Sequence, residues 1–248
     1  MRRPFALLLF LLTGCALVLE DRSGCPCQLS LDLKNLPAAP VQVEVTGTDF
    51  LFRGAADRDT VLVVPVPRTG VSVTAVFGGT REGDGMIRIP YGDESPPLYL
   101  FAGQADTSGD EAWMPVCPHK EYCRLDMQFT GSPGVGPPFE VEILGSVDGW
   151  EKDGTPSEGP FSCRFHPEGD GSAAVLLPRQ RDESLRMQIV FEGRPVCTMA
   201  LGTYIARSGY DWTEEDLEDV SLEIDISVTA ITFRLGSWQD TERRDFLI

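Results

Sequence analysis

The sequence predicts an all-β protein, two β-sandwiches in tandem behind a short export leader. Three observations carry this. From Cys27 onward, apolar and polar residues alternate at period two, as in strands with one buried and one wet face. The alternating runs are short and separated by turn clusters, among them Arg68-Thr69-Gly70, Gly83-Asp84-Gly85 and Gly92-Asp93-Glu94. The first residues are basic, then apolar, then small, as in a secretory signal. The predicted boundaries are 1–14 for the signal, 15–26 for a tether, 27–115 for the first sandwich and 116–248 for the second.

In the leader, Arg2 and Arg3 precede an apolar run from Phe5 to Leu12, closed by Leu12-Thr13-Gly14-Cys15. That run is too short to span a bilayer, which needs about 20 residues. Its Leu-x-Gly-Cys ending resembles the lipobox of bacterial lipoproteins. In that class the cysteine thiol receives a diacylglyceryl group, the chain is cut before it, and the new amine is acylated. Cys15 is therefore the expected lipidation site. One acyl chain holds a protein only marginally, at about 0.8 kcal/mol per buried methylene, whereas several make attachment effectively permanent.

The strands follow in order. Leu29, Leu31 and Leu33 alternate with Ser30 and Asp32, and Val41, Val43 and Val45 with Gln42 and Glu44. Val61 to Val66 is more continuous, and Pro65 within it predicts an edge strand or a local break. Strands are expected next at Val71 to Ala75, Met86 to Ile89 and Leu98 to Phe101. Gly103 to Tyr122 loses periodicity and is expected to be a connection or long loop bearing Trp113. Alternation resumes with Leu125, Met127 and Phe129, then Phe139, Val141 and Ile143, across the Gly/Pro-rich stretch Gly131 to Pro138. Further strands are expected at Phe161 to Phe165, Ala173 to Leu177, Leu185 to Phe191 and Val196 to Leu201. Glu214 to Asp219 is the predicted helical turn, with Thr213 as its cap. Leu222 to Ile226 and Ile231 to Leu235 close the chain as a strand pair.

The net charge of −17, which becomes −19 once Arg2 and Arg3 leave, disfavours nucleic acid and anionic membrane surfaces as partners. Cys25, Cys27, Cys117, Cys123, Cys163 and Cys197 remain after Cys15. An even number in an exported chain favours disulfides, whose pairing the spacing leaves open. A metal reading of Cys25-Pro-Cys27 and of Cys117 to Cys123 is weaker, since only His119 and His166 are available beside them.

Catalytic signatures are missing: there is no Gly-x-Ser-x-Gly, His-Glu-x-x-His, phosphate loop or dinucleotide fingerprint. Glu82-Gly83-Asp84-Gly85 and Glu168-Gly169-Asp170-Gly171 fit hairpin turns better than calcium loops. A non-enzyme without metal or cofactor is expected.

Several stretches in order resemble the FimB-type fimbrial anchor lipoproteins of Bacteroidales. They are the lipobox at Cys15, Glu20-Asp21 and Cys25-Pro26 before the first strand, Arg124 to Phe129, and Phe161-Ser162. Leu201 to Ile205, Tyr210-Asp211-Trp212, Leu222 to Asp225 and Trp238 complete the set. The resemblance implies two transthyretin-like (Greek-key) β-sandwiches and an outer-membrane, surface-exposed lipoprotein. It further implies a chain that fixes a fimbria to the cell and ends the fibre at its base. The implied partner is a fimbrial stalk subunit held by β-strand complementation. An anchor keeps its lipid and first strand, whereas a stalk or tip fimbrillin is cut. Cleavage at Lys34 or Arg53 would remove one or two strands, while Arg22 precedes them all. A third reading is a surface glycan-binding lipoprotein using Trp113, Trp150, Trp212 or Trp238 as stacking platforms.

Overall fold

The computed structural model describes residues 24–34, 36, 40–57, 59–130, 139–227, 230–235 and 238–242. The leader, Cys15, Glu20-Asp21, Arg22 and the 131–138 turn lie outside them. The chain is almost wholly β. Its strands are β1 (Cys27–Asp32), β2 (Val41–Gly47), β3 (Phe50–Ala56), β4 (Val61–Val66), β5 (Val71–Phe77), β6 (Ile87–Arg88), β7 (Tyr99–Ala105), β8 (Glu111–Pro115) and β9 (His119–Lys120). Then come β10 (Tyr122–Thr130), β11 (Glu140–Trp150), β12 (Pro156–Phe165), β13 (Ser172–Pro178), β14 (Arg186–Phe191) and β15 (Arg194–Met199). A helix, α1 (Leu201–Arg207), precedes β16 (Val220–Ser227), β17 (Ala230–Leu235) and β18 (Trp238–Glu242).

Two sheets enclose the first core. The smaller has the order β4-β1-β8 and the larger β3-β2-β5-β7-β9. Period-two alternation decides which side chains meet between them. Leu29, Leu31, Val43, Val45, Val64, Val66, Val71 and Val73 all point inward and are buried. Pro65 sits on an edge strand, as a residue without a ladder donor must. The second core lies between β12-β11-β14-β15 and β13-β10-β16-β17-β18, filled by Leu125, Val141, Ile143, Phe161, Leu177, Met187 and Leu222 among others.

The two cores are joined by a seam. Ile87, Ile89, Leu98 and Leu100 precede the predicted boundary at 115 yet belong to the second cluster. β6 pairs with the far end of β11, Arg88 opposite Gly149 and Ile87 opposite Trp150. Beyond it, Ile89 N–H donates to Asp148 O at 2.8 Å, Gly92 N–H to Ser162 O at 2.8 Å and Ser95 N–H to Leu176 O at 2.9 Å. Gly149 is required there, because a Cβ would collide with the Ile87 carbonyl.

Three expectations are corrected. Gly103 to Tyr122 is not a loop: β7 runs to Ala105, and Glu111–Pro115 forms β8, parallel to β1. The helical turn expected at Glu214 to Asp219 is absent. Arg179 donates to the carbonyls of Trp212 (2.6 Å), Glu214 (2.7 Å) and Glu215 (3.0 Å), occupying acceptors that a helix would use. The helix is instead Leu201–Arg207, which buries Leu201, Gly202, Tyr204 and Ile205.

The third correction concerns the thiols. No disulfide joins the described cysteines. Cys27, Cys123, Cys163 and Cys197 are buried and pack as small hydrophobes, while Cys25 and Cys117 are exposed. Cys163 and Cys197 lie on β12 and β15, with β11 and β14 between them. Three strand spacings amount to about 14 Å, well beyond the reach of a disulfide.

Candidate functional site

The part of the molecule with most to say about function is β1 and the three-stranded sheet it centres. β1 is the first described strand, and its apolar residues have no freedom to be elsewhere. Cys27, Leu29, Leu31 and Leu33 are fully buried. Burying a leucine contributes about 1.5–3 kcal/mol, so the strand carries a substantial part of its core. It is bonded on both sides, antiparallel to β4 from Cys27↔Val66 to Asp32↔Val61, and parallel to β8 from Gln28↔Glu111 to Asp32↔Pro115.

Both ends of β1 are fastened. At the start, Arg68 donates through Nε to Cys25 O (2.8 Å) and pairs with Asp110, while Gln28 N–H donates to Asp110 O (2.8 Å). Beside this clamp the buried Thr107 hydroxyl donates to Pro67 O (2.6 Å) and accepts from Gly70 N–H (3.0 Å). At the far end, Leu33 N–H donates to Thr60 O (3.0 Å) and Val116 N–H to Asp32 O (3.1 Å). Burial pushes the Cys27 thiol above its ordinary pKa, against the pull of Arg68.

The outer face of this sheet is wet and partly apolar. Pairing aligns Val63, Ser30 and Trp113 in one row across β4, β1 and β8, and Val61, Asp32 and Pro115 in the next. Trp113 is 59% exposed and Val63 52%. Trp150 and Trp212 are buried in the second core, and the side chain of Trp238 lies outside the described residues.

The remaining candidates are structural in their contacts. Lys34 lies two residues beyond the end of β1 and is exposed; Arg53 lies within β3 and donates through Nε to the buried Glu44 (2.7 Å). Glu44 also receives Lys152 at 3.3 Å from the β11–β12 turn, so this carboxylate ties the two halves across the seam. Burial alone would raise the Glu44 pKa, but Arg53 and Lys152 outweigh it and hold the group below its ordinary value.

Asp84 accepts from Met86 N–H (3.0 Å) and Arg88 bridges Glu82 and Asp84; Asp170 accepts from Ser172 N–H (2.9 Å). Both acidic stretches are thus braced turns. His119 Nδ1 stands 3.7 Å from Asp216, and His166 lines an open groove of about 990 Å³ of mixed character, with Arg124, Asp126 and Glu168 beside Met127, Phe165 and Leu222. Among the described residues, no helix is long and apolar enough to cross a membrane.

No protein family and no curated protein matches the chain by sequence. Solved structures do match by fold. A candidate adhesin from Bacteroides ovatus aligns with TM-score 0.68 at 15% identity, over 88% of this chain and 95% of that one. A candidate polysaccharide-binding protein from Bacteroides thetaiotaomicron gives 0.66 at 13%, over 88% and 98%. The fimbrial anchor protein Mfa2 from Porphyromonas gingivalis gives 0.64 at 11%, over 87% and 99%. At such identities the likeness is one of fold, and it extends nearly end to end.

Proposed function

We propose that this chain is a non-catalytic, lipid-anchored surface protein that fixes a fimbria to the outer membrane and ends the fibre at its base. The observation that carries the reading is β1. It begins 12 residues beyond Cys15 and is the central strand of its sheet, with its inward residues Cys27, Leu29 and Leu31 fully buried. A chain that keeps the lipid on Cys15 keeps this strand too. Its own groove is then filled and unavailable to a neighbour's strand, which is what a terminal subunit requires. The stalk subunit docks elsewhere by strand complementation. The sequence resemblance and the shared fold with a fimbrial anchor protein support the same reading.

The competing stalk or tip role requires cleavage at Lys34 or Arg53. A cut at Lys34 would free β1 and open the sheet between β4 and β8. Intact mass of the protein, extracted in detergent from its native membrane, separates the two. An acylated species from Cys15 to Ile248 is expected, and Cys15→Ala is expected to release the protein and its fimbriae into the medium. An unlipidated species beginning after Lys34 would overturn the anchor reading.

A further inference from the structure

We propose that the outer face of the β4-β1-β8 sheet is a binding platform for a neutral polysaccharide, with Trp113 as the residue on which a pyranose ring stacks. This goes beyond anchoring and does not depend on it. Trp113 stands on the edge strand β8, 59% exposed, and across Ser30 the opposite edge strand presents Val63 at 52% and Val61 at 37%. Alternation along each strand puts Gln28, Ser30 and Asp32 of β1 on the same outward face as Trp113 and Val63.

Around the indole, Gln28, Ser30 and Glu111 make no side-chain hydrogen bond among the described residues, and Asp32 uses one oxygen, on Lys34 N–H (3.2 Å). An apolar ring bordered by unspent donors and acceptors matches the two aspects of a sugar: a C–H face that stacks on an aromatic and a rim of hydroxyls.

Size decides between a sugar and a protein. The face is three strands wide and five residues long, about 10 by 13 Å. That footprint is a small fraction of the roughly 800 Å² per partner that a stable protein interface needs, and it suits two or three sugar units. Charge decides among sugars. Asp32 and Glu111 flank the platform of a strongly acidic chain, so uronate- or sialate-bearing polymers are repelled. Charge equally disfavours a second copy of this chain.

The test is affinity electrophoresis of the mature chain through native gels containing a β-glucan, an α-glucan, a mannan, a galactan or polygalacturonate. Retardation by at least one neutral polymer is expected. Trp113→Ala should weaken it ten-fold or more, Trp113→Phe should keep part of it, and Gln28→Ala should fall between. Trp113 is outside the core, so all three variants should melt like the parent. Unretarded migration in every neutral polymer sinks the proposal, as does retardation that survives Trp113→Ala or occurs only in polygalacturonate. Loss of fimbrial attachment in Trp113→Ala without any polysaccharide effect would identify the face as a protein interface instead.

Discussion

At the scale of single residues, the molecule is held by a few buried polar groups that no pattern announces. Arg179 and Glu121 are both nearly buried and meet at 2.6 Å. The same guanidinium collects the carbonyls of the segment after Trp212, fastening a long irregular connection to β13. Removing one partner of a buried pair leaves the other uncompensated and costs about 3–5 kcal/mol. Arg179→Ala is therefore expected to lower stability by that amount in urea unfolding, whereas Arg181→Ala, whose pair with Glu158 is exposed, should cost less than about 1 kcal/mol.

The thiols give a second residue-scale expectation. Burial pushes Cys163 up to about 12 and Cys123 up to about 11, while an unfolded thiol ionises near its ordinary value of 9. The folded state then holds protons that the unfolded state releases. Stability from these two groups is fully present below pH 9 and is lost as pH rises through the folded pKa values. Cys163→Val should flatten the alkaline limb of a stability–pH curve; an unchanged limb would assign it to other groups.

At the scale of elements, β1 is the sensitive one. Leu31→Ala, at a fully buried site, is expected to cost about 2–5 kcal/mol. The outward Ser30→Ala should cost little, and a comparison of the two denaturation midpoints checks this. Strands such as β1, β2, β5 and β10 were legible because one face of each is buried and the alternation is strict. β8 was not: its conspicuous residue, Trp113, faces solvent, so the apolar signal lies on the wrong face of a short acidic stretch. α1 escaped notice because seven residues following directly on a strand give too little of a 3.6-residue period. The helix expected at Glu214 to Asp219 had a plausible local cap, but the long-range demand of Arg179 overrode it. Cysteine parity also misled, since four of the six thiols serve as core volume. For the candidate site, the Trp roster was legible but not its sorting, because only tertiary packing separates Trp113 from Trp150 and Trp212.

At the scale of the whole molecule, the seam makes the two cores interdependent. Residues from the earlier half complete the later core, and Glu44 receives Lys152 from across it. Gly149→Val, which drives a side chain into the Ile87 carbonyl, should loosen the seam and lower the melting temperature by several degrees. Faster hydrogen exchange at both Ile89 and Ser95 should accompany it, and a variant that melts normally would show the seam to be dispensable. The placement of β1 has one more consequence, and it is mechanical. In the anchoring proposed above, a pull toward the membrane on the chain before β1 would load the strand lengthwise. All six pairs with β4 and all five with β8 then resist together rather than opening one at a time. Under the proposed anchoring role, tension on the fibre would meet the molecule at a joint loaded in shear, the direction in which a sheet yields last.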